Sequence, residues 1–553
     1  MSARREAMRE TNMKKAISMS KLLPVVMLAL ALLFTATAHA AAPGITGPSF
    51  NLTAQPAYLT QPDGQSIYSW GYGCNGAPSG YLPAAISTTF CNAMQVPGPT
   101  LIVTEGDAVS VTLTNNLPTS AGNTSILFPG FTLTSVGSGV PGLLTQEAAP
   151  GGSVTYNFVA SSPGTHAYYS GTQGDLQIEM GLYGAIIVLP SSVPAVCTSA
   201  GSNAAKNLAA EGAHGESDFR LANAAYDHAQ TCYDREYLFQ FSEMDPTIHT
   251  QALAQVNLTA GCAATAVGCS LNVPTDPYHP SYFMINGRSM PDDMDPNYAI
   301  QYPHQPYNGN PHMHPGELTL IRVIGQGRWQ HPFHEHGNHV RILGRDGNLI
   351  VSATDPTKLA GPLQFTTTTT PGLAFDGIFY WTGKGLNWDA YGHNPASLDP
   401  TANLICTPDA NGYNTGDPTA INYYEWCQDH DKPVEAAPFG DVANGGPTTL
   451  PDPNLFTNGA WYGGSPYLGP DATLRATGCS AGTNAGPGAV NCGATGSTPP
   501  SGTIANSPSG EAGFAFMWHS HNEREITTNN IFPGGMLMMM LVDSREFVID
   551  ESN

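Results

Sequence analysis

Charge is scarce in this chain, and basic charge is scarcer still. Charged residues are 11% of 553, and only 20 Lys and Arg stand against 43 Asp and Glu. Binding phosphate backbones or anionic lipid requires a basic surface, so no nucleic acid and no anionic membrane is expected as partner. Long apolar runs are also missing. The longest, LLPVVMLALALLF (22–34), is shorter than the ~20 residues a membrane-spanning helix needs. No repeat of solenoid period is present. Finally, none of the ten cysteines sits beside a histidine cluster in the sequence.

The short apolar run has a clear context. Lys14, Lys15 and Lys21 precede it, and Ala38-His39-Ala40 follows as a small-residue cleavage pattern. Residues 1–40 therefore read as a secretory signal peptide, not a membrane anchor, and a periplasmic or secreted location is expected. No cysteine follows the cleavage point to take a lipid, and no membrane span remains after removal. The signal holds six basic and two acidic side chains; without it 14 and 41 remain, a net charge of −27. Such a surface suits neutral or cationic substrates. An even number of cysteines in an exported chain favours disulfides. Neighbours in sequence could pair as 74–91, 197–232, 262–269, 406–427 and 479–492, with connectivity left open.

Glycine and proline are abundant, at 60 and 46, which suits an all-β protein with many turns. Strand signals dominate. AVSVTLTN (108–115) and SVTYNFVA (153–160) alternate apolar and polar residues, and LYGAIIVL (182–189) is a short buried run. A second series runs through REYLFQFSEMD (235–245), ELTLIRVIG (317–325), a hairpin around Asp346-Gly347, FAFMWHSH (514–521) and GGMLMMMLVD (534–543). The expectation is two β-sandwich domains, 41–190 and 231–545, joined by a linker at 191–230. A Gly/Pro/Asn/Asp-rich, disulfide-stapled insertion occupies about 380–510 of the second. The TTTTT tract (366–370) reads as β-prone low complexity without functional signal.

Histidine is concentrated. Seven of the sixteen beyond the signal lie between 304 and 339, around HPFHEHGNH (331–339), and a further pair stands in FMWHSHNERE (516–525). On a strand, residues i and i+2 share a face. His334 and His336 then point one way and His331 the other; His519 and His521 point one way and Ser520 the other. Two such strands side by side present four imidazoles to one point, a donor set for copper or zinc. A lone histidine is usually a core or surface residue, but two His-x-His pairs on strands of one domain are harder to dismiss. His312 and His314 read as surface residues, with auxiliary ligands as the alternative. Met536, Met538, Met539 and Met540 read as strand core, with a Cu(I)-binding methionine patch as the alternative.

Several segments resemble the multicopper oxidase family. VPGPTLIVTEGDAVSVTLTNNLP (96–118), GTHAYYSG with GLYGAIIV (164–188), INGR (285–288), PGELTLIRVI (315–324), HPFHEHG (331–337) and MWHSHNERE…FPGGMLMMM carry the likeness, which is closest to two-domain members. The resemblance implies two cupredoxin-like Greek-key β-sandwich domains and copper as cofactor. Of the family's four His-x-His pairs, the third matches His334 and His336 and the fourth His519 and His521. The first falls where this chain has Leu127-Phe128-Pro129, and the second at Tyr169 and Gly171, so both domain 1 pairs are gone. In the blue copper site, His331 matches the first histidine, Ser520 stands at the vacated thiolate position, Glu525 falls near the second histidine, and Met536 is the axial candidate. His331, Glu525 and Met536 are thus secondary metal candidates. Glu335 could join Glu525 in a His/carboxylate site or pair with Arg341 or Arg524 instead. Without the cysteine, the usual electron path from substrate to dioxygen is cut.

Two functions follow. One is a copper-dependent oxidoreductase acting on a small-molecule or metal-ion substrate through the four-histidine site. The other is a non-enzymatic structural or copper-sequestering protein. The resemblance also implies a homotrimer, although the lost ligands are the ones that would join subunits through metal.

Overall fold

The computed structural model describes residues 42–84, 91–263, 266–384, 405–420, 422–430, 464–467, 513–543, 545 and 548–549. The signal segment, most of the expected insertion and the Cys479–Cys492 pair lie outside the described residues.

The chain is all-β in its main elements. In its first part, strands Ala108–Asn115 and Ser153–Val159 bury every second residue, as their alternation predicts. They lie in a sheet ordered Ser66–Cys74, Ser49–Thr60, Ala108–Asn115, Ser153–Val159, Thr134–Val136. A second sheet, ordered Gly164–Tyr169, Tyr183–Leu189, Leu101–Thr104, Gly44–Thr46, Tyr81–Leu82, faces it across a core of Trp70, Tyr72, Val111, Leu113, Tyr156, Tyr168 and Ile186.

From Arg235 onward two further sheets form. One is ordered Tyr282–Ile285, Arg235–Met244, Leu318–Gly325, Ala374–Tyr380, Val340–Arg345, Asn348–Leu349. The other is ordered His312–Met313, Leu537–Asp543, Gly513–Ser520, His331–Glu335, Thr366–Thr369. Their shared core holds Tyr237, Phe239, Phe241, Phe333, Phe379, Trp518 and Met538. Asp346 and Gly347 both take positive φ, 48° and 71°, which closes the hairpin between Val340–Arg345 and Asn348–Leu349 as a type I′ turn.

Strand Arg235–Met244 is buried along its whole length. Its Tyr237, Phe239 and Phe241 enter the core, while Leu238 meets Ala167, Ala185 and Ile187 of the first part. The two halves are therefore cemented by apolar contact. Thr165 adds hydrogen bonds from its N and Oγ1 to Asp376. Among the described residues four disulfides close: Cys74–Cys91, Cys197–Cys232, Cys262–Cys269 and Cys406–Cys427.

The 191–230 segment, read as a linker, carries helices Ala195–Thr198 and Asn203–Ala213 and docks through a buried ion network. Arg235 bridges Glu216 and Glu317, and Arg545 approaches Glu317 at 3.7 Å. His314 Nε2 sits 2.6 Å from Glu216, and His312 Nδ1 lies 2.6 Å from Asp543. His312 and His314 are thus not surface residues; they are 4% and 0% exposed and serve this network. Removing one member of a buried ion group strands the others at a cost of about 3–5 kcal/mol. Arg235→Met should lower unfolding free energy by about that amount in chemical denaturation; a change near zero would show that the network is not held in solution.

Candidate metal centre

Strands His331–Glu335 and Gly513–Ser520 run antiparallel, with Phe333 opposite Ser520, His334 opposite His519 and Glu335 opposite Trp518. Opposed residues share a face. Phe333 and Trp518 sink into the core, so His334 and His519 emerge on the other side. His336 and His521 follow two residues after these. Trp518 Nε1 donates to the His336 carbonyl at 2.9 Å, and His521 N donates to Pro332 O at 2.8 Å, which keeps both turns alongside.

The four rings converge as the strand geometry predicts. Ring centroids lie 4.6 Å apart for His334 and His336, 5.1 Å for His334 and His521, and 5.2 Å for His336 and His519. His519 lies 5.5 Å from His521 and 5.6 Å from His334. His334 and His519 are buried, whereas the His521 side chain is 53% exposed, so the group opens to solvent on that side.

The protons can be placed. His519 Nδ1 lies 2.7 Å from Ser520 O, which only accepts, so Nδ1 carries the hydrogen. The neutral ring then turns the Nε2 lone pair toward His336 Nε2, 3.2 Å away. His334 Nδ1 meets Thr366 Oγ1 at 2.7 Å. Burial, then the neighbouring histidines, push His334 down to about 4; burial also lowers His519. At neutral pH these rings are neutral, as ligands must be. Converging imidazoles with two nitrogens at 3.2 Å fit a copper ion.

The opposite face differs. His331 is fully buried, with Nδ1 2.9 Å from Glu525 and Nε2 3.0 Å from Glu243. Burial opposes its charge, but the two carboxylates overcome that and raise it to about 9. Ser520 Oγ donates to the same Glu525 oxygen that His331 meets. His331 and Glu525, secondary metal candidates by sequence, therefore satisfy each other, and neither nitrogen of His331 is left for a metal. Met536 is fully buried in the core and exchanges main-chain bonds with Ser520 and Glu525. Glu335 joins neither Glu525, Arg341 nor Arg524. Its carboxyl accepts from Thr367 Oγ1 at 2.6 Å, and burial raises it to about 8.

The positions at which the resemblance would place the first two histidine pairs are also adjacent. Leu127 N donates to Tyr169 O at 2.7 Å, and Tyr169 N donates back at 3.3 Å. Residue 171 is glycine against Leu127: a Cβ there would come within 2.8 Å of the leucine Cγ. His166 accompanies neither position; its Nε2 lies 3.0 Å from Ser162 O.

Residues 83–193 match the family model for multicopper oxidase. Over this segment the chain is similar to the multicopper oxidases. Multicopper oxidase MCE of Talaromyces pinophilus is 38% identical over 138 residues, 24% of this chain and 21% of that protein. Laccase 1 of Metarhizium acridum is 38% identical over 117 residues, 21% of this chain and 18% of that protein. The chain thus spans about a fifth of the length of these relatives. Among solved structures, the blue copper oxidase from Nitrosomonas europaea superposes with a TM-score of 0.42 and 14% identity, over 89% of this chain and 85% of that one.

Sequence reasoning missed two contributors. Glu243 lies 88 residues before His331, on another strand, and nothing local marks it. Thr366 stands in the tract dismissed as low complexity, yet strand Thr366–Thr369 pairs directly with His331–Glu335 and holds His334.

Two outcomes are expected. His331 is raised from its usual 6.5 to about 9 in the fold, so its stabilisation is complete below pH 6.5 and is lost as pH rises through 9. The melting temperature should fall over that range, and His331→Gln should flatten the profile; an unchanged slope would refute the charged pair. Second, Ser520→Cys loaded with copper should show no intense blue absorption, because Glu243 and Glu525 still occupy His331. A blue band in the single variant would overturn this account.

Proposed function

We propose that this chain is an exported copper protein that binds copper on His334, His336, His519 and His521. It acts as an oxidoreductase on a small-molecule or metal-ion substrate without a blue copper centre. The reading rests on one observation: two His-x-His pairs converge across a single strand register, with the His519 and His336 Nε2 atoms 3.2 Å apart. Bound copper supplies one-electron redox chemistry.

The protein's own part is to hold and present the donors. Ser520 O fixes the His519 proton on Nδ1, so Nε2 faces the site. Thr366 fixes the His334 ring, a supporting contact of the kind that orients metal ligands. Exposed His521 leaves room for a small reactant, and the acidic surface suits a neutral or cationic one. Four disulfides suit an oxidising, extracytoplasmic setting. The buried group His331, Glu243, Glu525 and Ser520 replaces a thiolate relay, so four-electron reduction of dioxygen is not part of this proposal.

That buried group also favours a second reading, copper sequestration by the same four ligands without turnover. The purified mature protein, loaded with copper, distinguishes them. The cupric EPR spectrum should show nitrogen coordination without a blue thiolate band. His519→Ala should weaken copper binding roughly tenfold or more, since even supporting residues cost that much. Dioxygen-dependent oxidation of a phenol or ferrous ion, lost in that variant, supports the enzyme; copper without oxidation supports sequestration. Failure to bind copper would overturn both.

A further inference from the structure

Not all the strand methionines belong to the core. Across Gly513–Ser520 and Leu537–Asp543, Trp518 pairs with Met538, His519 with Leu537, and Met517 with Met539. Trp518, Met536, Met538 and Met540 line the apolar core. Met517 and Met539 therefore project from the other face, the one that carries His519, and both are partly exposed. Met539, read from the sequence as strand core alongside Met536, Met538 and Met540, therefore lies outside that core, and its cross-strand neighbour is another thioether.

We propose that Met517 and Met539 form a cuprous site at the edge of the four-imidazole centre, with the His336 ring as its nitrogen donor. Directly opposed residues hold their Cβ atoms about 4.5–5.5 Å apart, and methionine's unbranched side chain lets two sulfurs reach one ion. His336 is brought abreast of Met517 because Glu335 pairs with Trp518, whose indole binds the His336 carbonyl. Met517 precedes His519 by two residues on the same face, a step of roughly 7 Å along the strand. Thioethers select Cu(I), whereas imidazole takes copper in either oxidation state. The sheet face therefore grades from soft sulfur to nitrogen within one strand step. A cuprous ion captured at the sulfur end exchanges sulfur for nitrogen as it passes to the imidazoles, and no electron is transferred. Scattered apolar side chains on a surface are ordinary; what distinguishes this pair is its cross-strand register and its neighbour His519.

The inference rests on the reading of the four imidazoles as a copper site, and the test separates the two. The full mature chain is titrated anaerobically with Cu(I) against a chromogenic cuprous chelator, and the bound ion is examined by copper-edge X-ray absorption. Wild type should show copper–sulfur scattering. Met517→Leu/Met539→Leu, which conserves volume, should lose it and bind Cu(I) roughly tenfold or more weakly. The same variant should keep the cupric nitrogen signal, which also reports that it has folded. A nitrogen-only cuprous spectrum in wild type, with the cupric signal intact, overturns the thioether site alone. Absence of the cupric signal overturns the four-imidazole reading instead.

Discussion

The arrangement depends on the register between His331–Glu335 and Gly513–Ser520. Side chains alternate along a strand, so a slip of one residue would send every group to the wrong face. Here Phe333 and Trp518 are the anchors, both completely buried and packed against Phe239 and each other. Displacing them to solvent forfeits about 1.5–3 kcal/mol for each large apolar side chain. The imidazoles are thus placed by their apolar neighbours. Core packing sets the coordinates, and the histidines occupy what the core leaves.

The same two strands create opposite electrostatic conditions on their two sides. His331 and His334 are three residues apart, yet one is raised to about 9 and the other lowered to about 4. Burial lowers both. The difference lies in the company: His331 lies between Glu243 and Glu525, whereas His334 faces His336, His519 and His521. Carboxylates demand a proton on the first ring, and neighbouring rings refuse one on the second. A charged, sealed His331 and a His334 held without charge therefore stand on opposite faces of one strand. The serine at 520 belongs to the sealed side, where a hydroxyl can donate to a carboxylate and a thiol would donate poorly.

Much of this was legible in the chain itself. The alternation in 108–115 and 153–159 announced half-buried strands, and two His-x-His pairs announced the convergence. Four of the five neighbour pairings of cysteine appear as bonds; the fifth lies outside the described residues. What escaped was long-range. The partner of His331 comes from strand Arg235–Met244, and its role depends on a fold that no local pattern encodes. His312 and His314 were misread because polarity suggests exposure, while their burial depends on Asp543 and Glu216 far along the chain. The helices in 191–230 lie in a stretch whose Ala, Ser and Asn content also fits a loop. Thr366 was hidden by composition, since a threonine run says nothing of which hydroxyl meets a ring.

Leu127 and Gly171 stand where the resemblance would place first-domain histidines, and they are packed against each other. A side chain at 171 would push on the leucine, whose Cγ stands 2.8 Å from where its first carbon would lie, and a new imidazole at 127 alone has no companion. Neither substitution is useful before the other, and each is obstructed or idle when it comes first. Anyone rebuilding imidazoles at this spot would have to replace both residues together, because the leucine fills the volume that a side chain at 171 would claim.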